Sequence, residues 1–210
     1  MKNRIATTWV MSLLLALCLS VPTGADDHGH HYARLEEHKI DLADFTLPTA
    51  DGKTLQLREA LRGKRALVLT FFAAWCHNSN FDVTTMEYLQ QTYGARGLAV
   101  IGVCEYSSAT EMREFIDKHK PTYPICVESD DQGPKREQTL HYKYRQASHD
   151  NDRKWGTPLT LLIEPPELKQ DGPLIARKIK VAKGEMLRKE AETILQQLPD
   201  TAPKQNGNEP

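Results

Sequence analysis

The sequence is poor in cysteine. Four in 210 residues are too few for a small domain stapled by disulfides. It also lacks an excess of positive charge: 27 Lys plus Arg face 28 Asp plus Glu, a formal net charge of −1. Such a chain has no basic surplus with which to hold a polyanion, so nucleic acid is not an expected partner. No hydrophobic run reaches the roughly 20 residues of a membrane span; the longest extends only from Trp9 to Val21. No internal repeat is visible. What is present, 40% hydrophobic and 26% charged residues, is the composition of one ordinary globular domain with appendages.

The first appendage is the N-terminus. Lys2 and Arg4 precede the apolar run, rich in Leu13, Leu14, Leu15, Leu17 and Leu19, which exits through Pro22-Thr23-Gly24-Ala25. A charged start, a short apolar stretch and a small-residue exit predict a signal peptide over residues 1–25 and an exported, periplasmic or otherwise extracytoplasmic protein. The alternatives are an uncleaved anchor, or lipidation at Leu15-Ala16-Leu17-Cys18, where Leu17 occupies a position normally held by a small residue. Membrane contact is expected only in those two cases. Cleavage after Ala25 leaves 185 residues, 25 of them basic and 28 acidic, with Cys76, Cys104 and Cys126. An odd cysteine count in an exported chain leaves at least one thiol free or paired outside the chain.

Residues 26–40 are polar and His-rich and read as a flexible lead-in; residues 41–198 read as the folded domain and 199–210 as a disordered tail. Asp51-Gly52 between Asp44–Pro48 and Lys53–Leu57 predicts a hairpin. Ala66–Phe72 and Leu98–Val103 are continuous apolar runs, as strands buried on both faces require. Val83, Met86, Leu89 and Tyr93 recur at helical spacing between them. Ser108 and Glu111 form a capping box. A polar helix is expected over Lys135–Tyr144, further strands at Tyr123–Val127, Leu159–Ile163 and Leu174–Val181, and a last helix carries Leu187, Ala191, Ile194 and Leu198. Strands alternating with helices predict an α/β fold with a central mixed sheet flanked by helices, with the chemistry at strand carboxyl ends.

Two strand ends stand out. Ala73-Ala74-Trp75-Cys76-His77-Asn78-Ser79 places Cys76 between a buried strand and a helix start, where the helix dipole stabilises a thiolate. His77 adds to that effect when protonated. Trp155-Gly156-Thr157-Pro158 directly precedes an apolar strand, and a proline there points to a special, cis-type peptide bond.

With these residues the chain resembles the redoxin, or TlpA-like, branch of the thioredoxin superfamily, which comprises exported thiol–disulfide oxidoreductases. The resemblance runs from about Asp44 to Leu198. It implies a thioredoxin-like fold with an N-terminal β-hairpin, Cys76 as nucleophile, and Trp75, His77, Thr157 and Pro158 shaping the substrate site. Protein thiols and disulfides, with an electron donor, are the implied partners.

The family carries Cys-x-x-Cys, and here the second cysteine is Ser79. A serine forms no disulfide, so the motif does not cycle as a dithiol by itself. Three readings follow: a monothiol resolved by an external thiol, a relocated resolving cysteine, or a redox-inactive binding module. Cys104 ends the strand beside the one leading to Cys76 and is the candidate for relocated resolution; the alternative is a small buried hydrophobe. In some relatives of this type an acid after that strand faces the active site, which makes Glu105 a candidate for moving a proton. A peroxidase is a further reading. It is weakened because Ala73 stands where peroxiredoxin-like sites carry threonine.

A separate expectation concerns metal. With Asp26 as first residue, His28 stands third, and a terminal amine, two amide nitrogens and an imidazole suit Cu(II) or Ni(II), assisted by His30 and His31. The plain alternative is a polar tail without a cofactor.

Overall fold

The structure, a computed structural model, describes residues 29–130 and 133–200. The predicted signal peptide, His28 and most of the predicted tail therefore lie outside the described residues.

The centre is a six-stranded mixed sheet. In spatial order it holds β2 (Glu36–Ala43), β9 (Leu174–Ala182), β8 (Leu159–Ile163), β5 (Ala66–Phe72), β6 (Leu98–Cys104) and β7 (Ile125–Val127). All seven residues of β5 and all seven of β6 are buried, because helices cover both faces; this is why their sequences show no alternation. β5 pairs parallel with β6 and antiparallel with β8. The carboxyl ends of β5 and β6 and the amino end of β8 therefore meet at one edge of the sheet, and that edge carries Cys76, Cys104-Glu105 and Thr157-Pro158.

The core divides by sheet face. Val68, Val100 and Cys104 point to one side and pack with Val83, Met86 and Leu89 of α2 (His77–Tyr93) and with Phe115 of α3 (Ala109–His119). Leu69, Ile101, Val103 and Cys126 point to the other, against Leu57 of α1 (Leu57–Ala60) and Tyr144 of α4 (Leu140–Ala147). Truncating any fully buried leucine of this set to alanine costs about 2–5 kcal/mol. The capping box is present: the Glu111 N–H donates to Ser108 Oγ at 3.2 Å and the Ser108 N–H to Glu111 Oε2 at 2.7 Å. Gly102 sits in β6 because a Cβ there would come within 2.7 Å of Ile125 and 3.2 Å of Phe72.

The hairpin is β3 (Thr46–Pro48) against β4 (Thr54–Gln56). Two segments differ from expectation. The lead-in read as flexible to residue 40 is strand from Glu36 onward, and Tyr32–Ala33 (β1) pairs parallel with Glu185–Met186 (β10). Ile40 and Leu42 are buried while Lys39 and Asp41 are exposed, but the charged stretch Glu36–Lys39 hides that alternation. The helix expected over Lys135–Tyr144 is divided. A 3₁₀ turn spans Pro134–Gln138, and α4 starts afresh where Thr139 Oγ1 accepts the Tyr142 N–H at 3.0 Å. The last helix is α5 (Arg188–Leu195).

Candidate active site around Cys76

Cys76 is the N-cap residue of α2, in extended conformation at φ −75° and ψ 125°. Its N–H returns to the Ala73 carbonyl at 3.0 Å, closing the turn out of β5. The Asn80 side chain donates to the carbonyls of Ala74 at 2.7 Å and Cys76 at 3.0 Å and fixes that turn. The sulfur thus stands, half-buried, at the N-terminal end of a 17-residue helix.

Across the site the Thr157-Pro158 peptide bond is cis. The Cys76 thiol donates to the Thr157 carbonyl oxygen at 3.5 Å. The pairing of a strand-end cysteine with Thr157-Pro158 is therefore an observed contact.

Ser79 turns inward. It is 2% exposed, and its hydroxyl accepts the Ala73 N–H at 3.4 Å. The other thiols among the described residues, Cys104 and Cys126, are buried and unbonded to one another. Strand register sets Cys104 level with Phe72, before the turn that carries Cys76. Burial pushes both Cys104 and Cys126 up to about 11, so each is a thiol at neutral pH. They also face opposite sides of the sheet.

Glu105 follows Cys104 and is fully buried. Burial, reinforced by the neighbouring Glu128 carboxylate, pushes it up to about 12; it is a neutral acid at physiological pH. Glu128 in turn accepts the N–H groups of Leu140 at 2.7 Å and His141 at 3.4 Å, at the start of α4. The structure thus places Glu105 on the α4 side of the sheet. Among the described residues no hydrogen bond joins it to Cys76.

His77 is exposed and stacks on His30 with ring centroids 5.1 Å apart. His30 in turn bonds Glu185 through Nδ1 at 2.9 Å and lies 4.0 Å from the Phe81 ring. The described part of the expected metal site is thus engaged in protein contacts. His31 is exposed beside Gly184, and among the described residues no group of three or more His, Cys, Asp or Glu is arranged to hold a metal ion.

The sequence profile of the AhpC/TSA family matches residues 40–165. The chain belongs to the AhpC/TSA family. Thioredoxin-like protein YneN of Bacillus subtilis (strain 168) is 36% identical over 89 residues, 40% of this chain and 50% of that protein. Thiol-disulfide oxidoreductase ResA of Halalkalibacterium halodurans is 25% identical over 122 residues, 57% of this chain and 68% of that protein. The match to YneN thus spans half of that relative's length. Among solved structures, a thiol:disulfide interchange protein from Chlorobium tepidum TLS superimposes with a TM-score of 0.55 at 18% identity, covering 76% of this chain and 96% of that one. A secreted thiol-disulfide isomerase from Corynebacterium glutamicum gives 0.55 at 15% identity, over 77% and 92%. These likenesses establish the thioredoxin-like fold.

In this AhpC/TSA chain the structure also joins Trp75, Trp155 and Gly156 to residues that the sequence did not single out. The Trp75 indole N–H donates to the Tyr106 carbonyl at 2.8 Å, and its ring meets Trp155 edge-on at 5.5 Å. Arg136 and Lys154 lie 5.4 and 5.6 Å from the Trp155 ring. Arg153 grips Asp150 with two bonds, at 3.1 and 2.6 Å, and donates to the carbonyls of Gly156 at 2.9 Å and Pro158 at 3.0 Å. Gly156 has φ +70°, and a Cβ there would sit 2.1 Å from Arg145 Nε. On the other face, Asp82 is buried in α2, accepts the Met186 N–H at 3.0 Å, and is pushed by burial up to about 8. Only Trp75 and the Trp155–Pro158 run offered a local signal for any of this.

Proposed function

We propose that the chain is an exported thiol–disulfide oxidoreductase in which Cys76 acts as the single nucleophilic thiol. The observation that carries this reading is the half-buried Cys76 sulfur at the start of α2, 3.5 Å from the Thr157 carbonyl. The name of the relative ResA, a thiol-disulfide oxidoreductase, supports the reaction class. The apolar N-terminal run and the description of a neighbour as secreted support export. Among the described residues no helix is long and apolar enough to cross a membrane.

In the first step the Cys76 thiolate attacks one sulfur of a protein disulfide. The S–S bond breaks, Cys76 becomes part of a mixed disulfide, and the departing thiolate takes a proton from solvent. An external thiolate then attacks the Cys76 sulfur and releases the second substrate thiol. A second external thiol frees Cys76 and leaves as the external disulfide. Two external thiols are oxidised for each substrate disulfide reduced. External resolution is favoured over Cys104, which is 1% exposed and shifted up to about 11, since the thiolate is the attacking species. Backbone groups of the Thr157 loop pair with an extended substrate, and Trp75 and His77 flank it.

The test is turnover of a peptide disulfide with glutathione as reductant. Loss of turnover in Cys76→Ser, with Cys104→Ser and Cys126→Ser active, is the expected result. Turnover surviving in Cys76→Ser would refute the assignment.

A further inference from the structure

Two loops border the Cys76 sulfur. One follows β6 and carries Tyr106; the other precedes β8 and carries Gly156-Thr157-Pro158. They are far apart in sequence and come from different strands. The Tyr106 ring meets Trp155 of the second loop at 5.7 Å, and one buried side chain, His141 of α4, hydrogen-bonds to both loops. Its Nδ1 lies 2.8 Å from the Tyr106 hydroxyl and its Nε2 3.2 Å from the Gly156 carbonyl oxygen.

The protonation pattern follows from the partners. His141 is fully buried, and burial, aided by the nearby Arg145 and Arg153 cations, pushes it down to about 3 against the weaker pull of the Gly156 carbonyl. The ring is therefore neutral at physiological pH and carries one N–H. A carbonyl only accepts, so that N–H is on Nε2 and donates to Gly156. Nδ1 is then an acceptor, and the Tyr106 hydroxyl donates to it. Tyr106, held up to about 12 chiefly by burial, retains the proton this requires. It also holds a positive φ of 54°, a conformation that persists for a bulky residue only where its surroundings enforce it.

These bonds close a ring around the reactive sulfur. The ring runs from Cys76 to the Thr157 carbonyl, back one residue to Gly156, through His141 to Tyr106, and from the Tyr106 carbonyl to the Trp75 indole, adjacent to Cys76. Arg153 also binds the Gly156 carbonyl, but it belongs to the same loop and fixes that loop's shape. His141 comes from α4 and fixes the loop's place against Tyr106.

We propose that His141 is a positioning residue for thiol–disulfide exchange: it ties the Thr157 loop to the Tyr106 loop and so holds the substrate-pairing backbone in register with the Cys76 sulfur. This rests on Cys76 being the exchanging thiol. It adds a requirement that the nucleophile's own chemistry does not impose. A small alkylating agent needs only the sulfur, whereas an extended peptide disulfide needs the sulfur and the loop together.

The experiment compares His141→Phe and Tyr106→Phe with the unaltered protein in two reactions, alkylation of Cys76 by iodoacetamide and exchange with an extended peptide disulfide. The expected result for His141→Phe is unchanged alkylation and an exchange kcat/KM lower by about tenfold to a hundredfold, the loss appearing in KM. His141→Gln, which keeps a donor and an acceptor, is expected to recover part of it. Equal losses in both reactions, or no loss in either, overturn the proposal. Should His141→Phe fail to fold, Tyr106→Phe, which deletes one hydroxyl, carries the same comparison. Should the unaltered protein exchange with no peptide, the thiol reading itself fails. Amide hydrogen exchange over residues 155–159 then decides the positioning claim separately: faster exchange in Tyr106→Phe or His141→Phe supports it, and unchanged exchange overturns it.

Discussion

The Cys76 sulfur and the Thr157 carbonyl oxygen lie 3.5 Å apart although 81 residues separate them in the chain. The antiparallel pairing of β5 with β8, which sets Phe71 opposite Leu159, brings them together. The Cys76 sulfur and the backbone edge facing it are thus brought together by sheet topology.

Thiol reactivity is expected to follow burial. Cys104 and Cys126 are 1% and 0% exposed and both shifted up to about 11; Cys76 is half-buried. Iodoacetamide at neutral pH should modify Cys76 first under native conditions, read by peptide mapping. Equal labelling of all three without denaturant would count against this site.

Ser79→Cys restores a Cys-x-x-Cys spacing. Ser79 Oγ is buried within hydrogen-bonding range of the Ala73 N–H, and a sulfur in its place costs about 1 kcal/mol or less of stability. The variant should lose two hydrogens on mild oxidation, seen by intact mass. It should also release the mixed disulfide without an external thiol. A variant that oxidises no differently from the parent would show that the Ser79 position does not reach Cys76.

Gly156→Ala forces a side chain into Arg145 at a positive φ. A loss of at least about 2 kcal/mol is expected from strain and overpacking, measured by denaturant unfolding, together with slower peptide exchange. An unchanged unfolding midpoint would contradict the tight Arg145 contact.

Asp82 gives stability a pH dependence. Its folded carboxyl titrates near 8 because of burial, with Glu185 adding to the shift, while an unfolded aspartate titrates near 3.9. Between these values the folded state binds the extra proton, so this contribution is complete at acid pH and declines as pH rises towards 8. Asp82→Asn should remove that decline, so the variant's melting temperature relative to the parent rises between pH 5 and pH 8. A constant difference over that window would contradict the assignment.

Several parts of this site were legible in the sequence because local rules mark them. Cys76 follows an all-apolar strand and opens a helix, and Thr157-Pro158 interrupts polar chain just before another apolar strand. The capping box at Ser108 and the hairpin turn at Asp51-Gly52 are likewise local. β2 was hidden because its buried Ile40 and Leu42 lie in a charged run. β1 and β10 are two residues each and exist only by pairing with one another. His141, Tyr106 and Asp82 gave no signal, since a buried polar residue is recognisable only by its partners, and these come from distant segments. Glu105 follows the strand directly, but strand alternation turns it away from the Cys104 side of the sheet and towards Glu128.

The central claim is that Cys76 exchanges as a lone thiol. Its most direct test is the intact mass of the purified protein after treatment with glutathione disulfide, followed by peptide mapping. The account predicts one glutathione bound, on Cys76, and removed by added thiol. An unmodified Cys76, or an internal bond between Cys76 and Cys104, would contradict it.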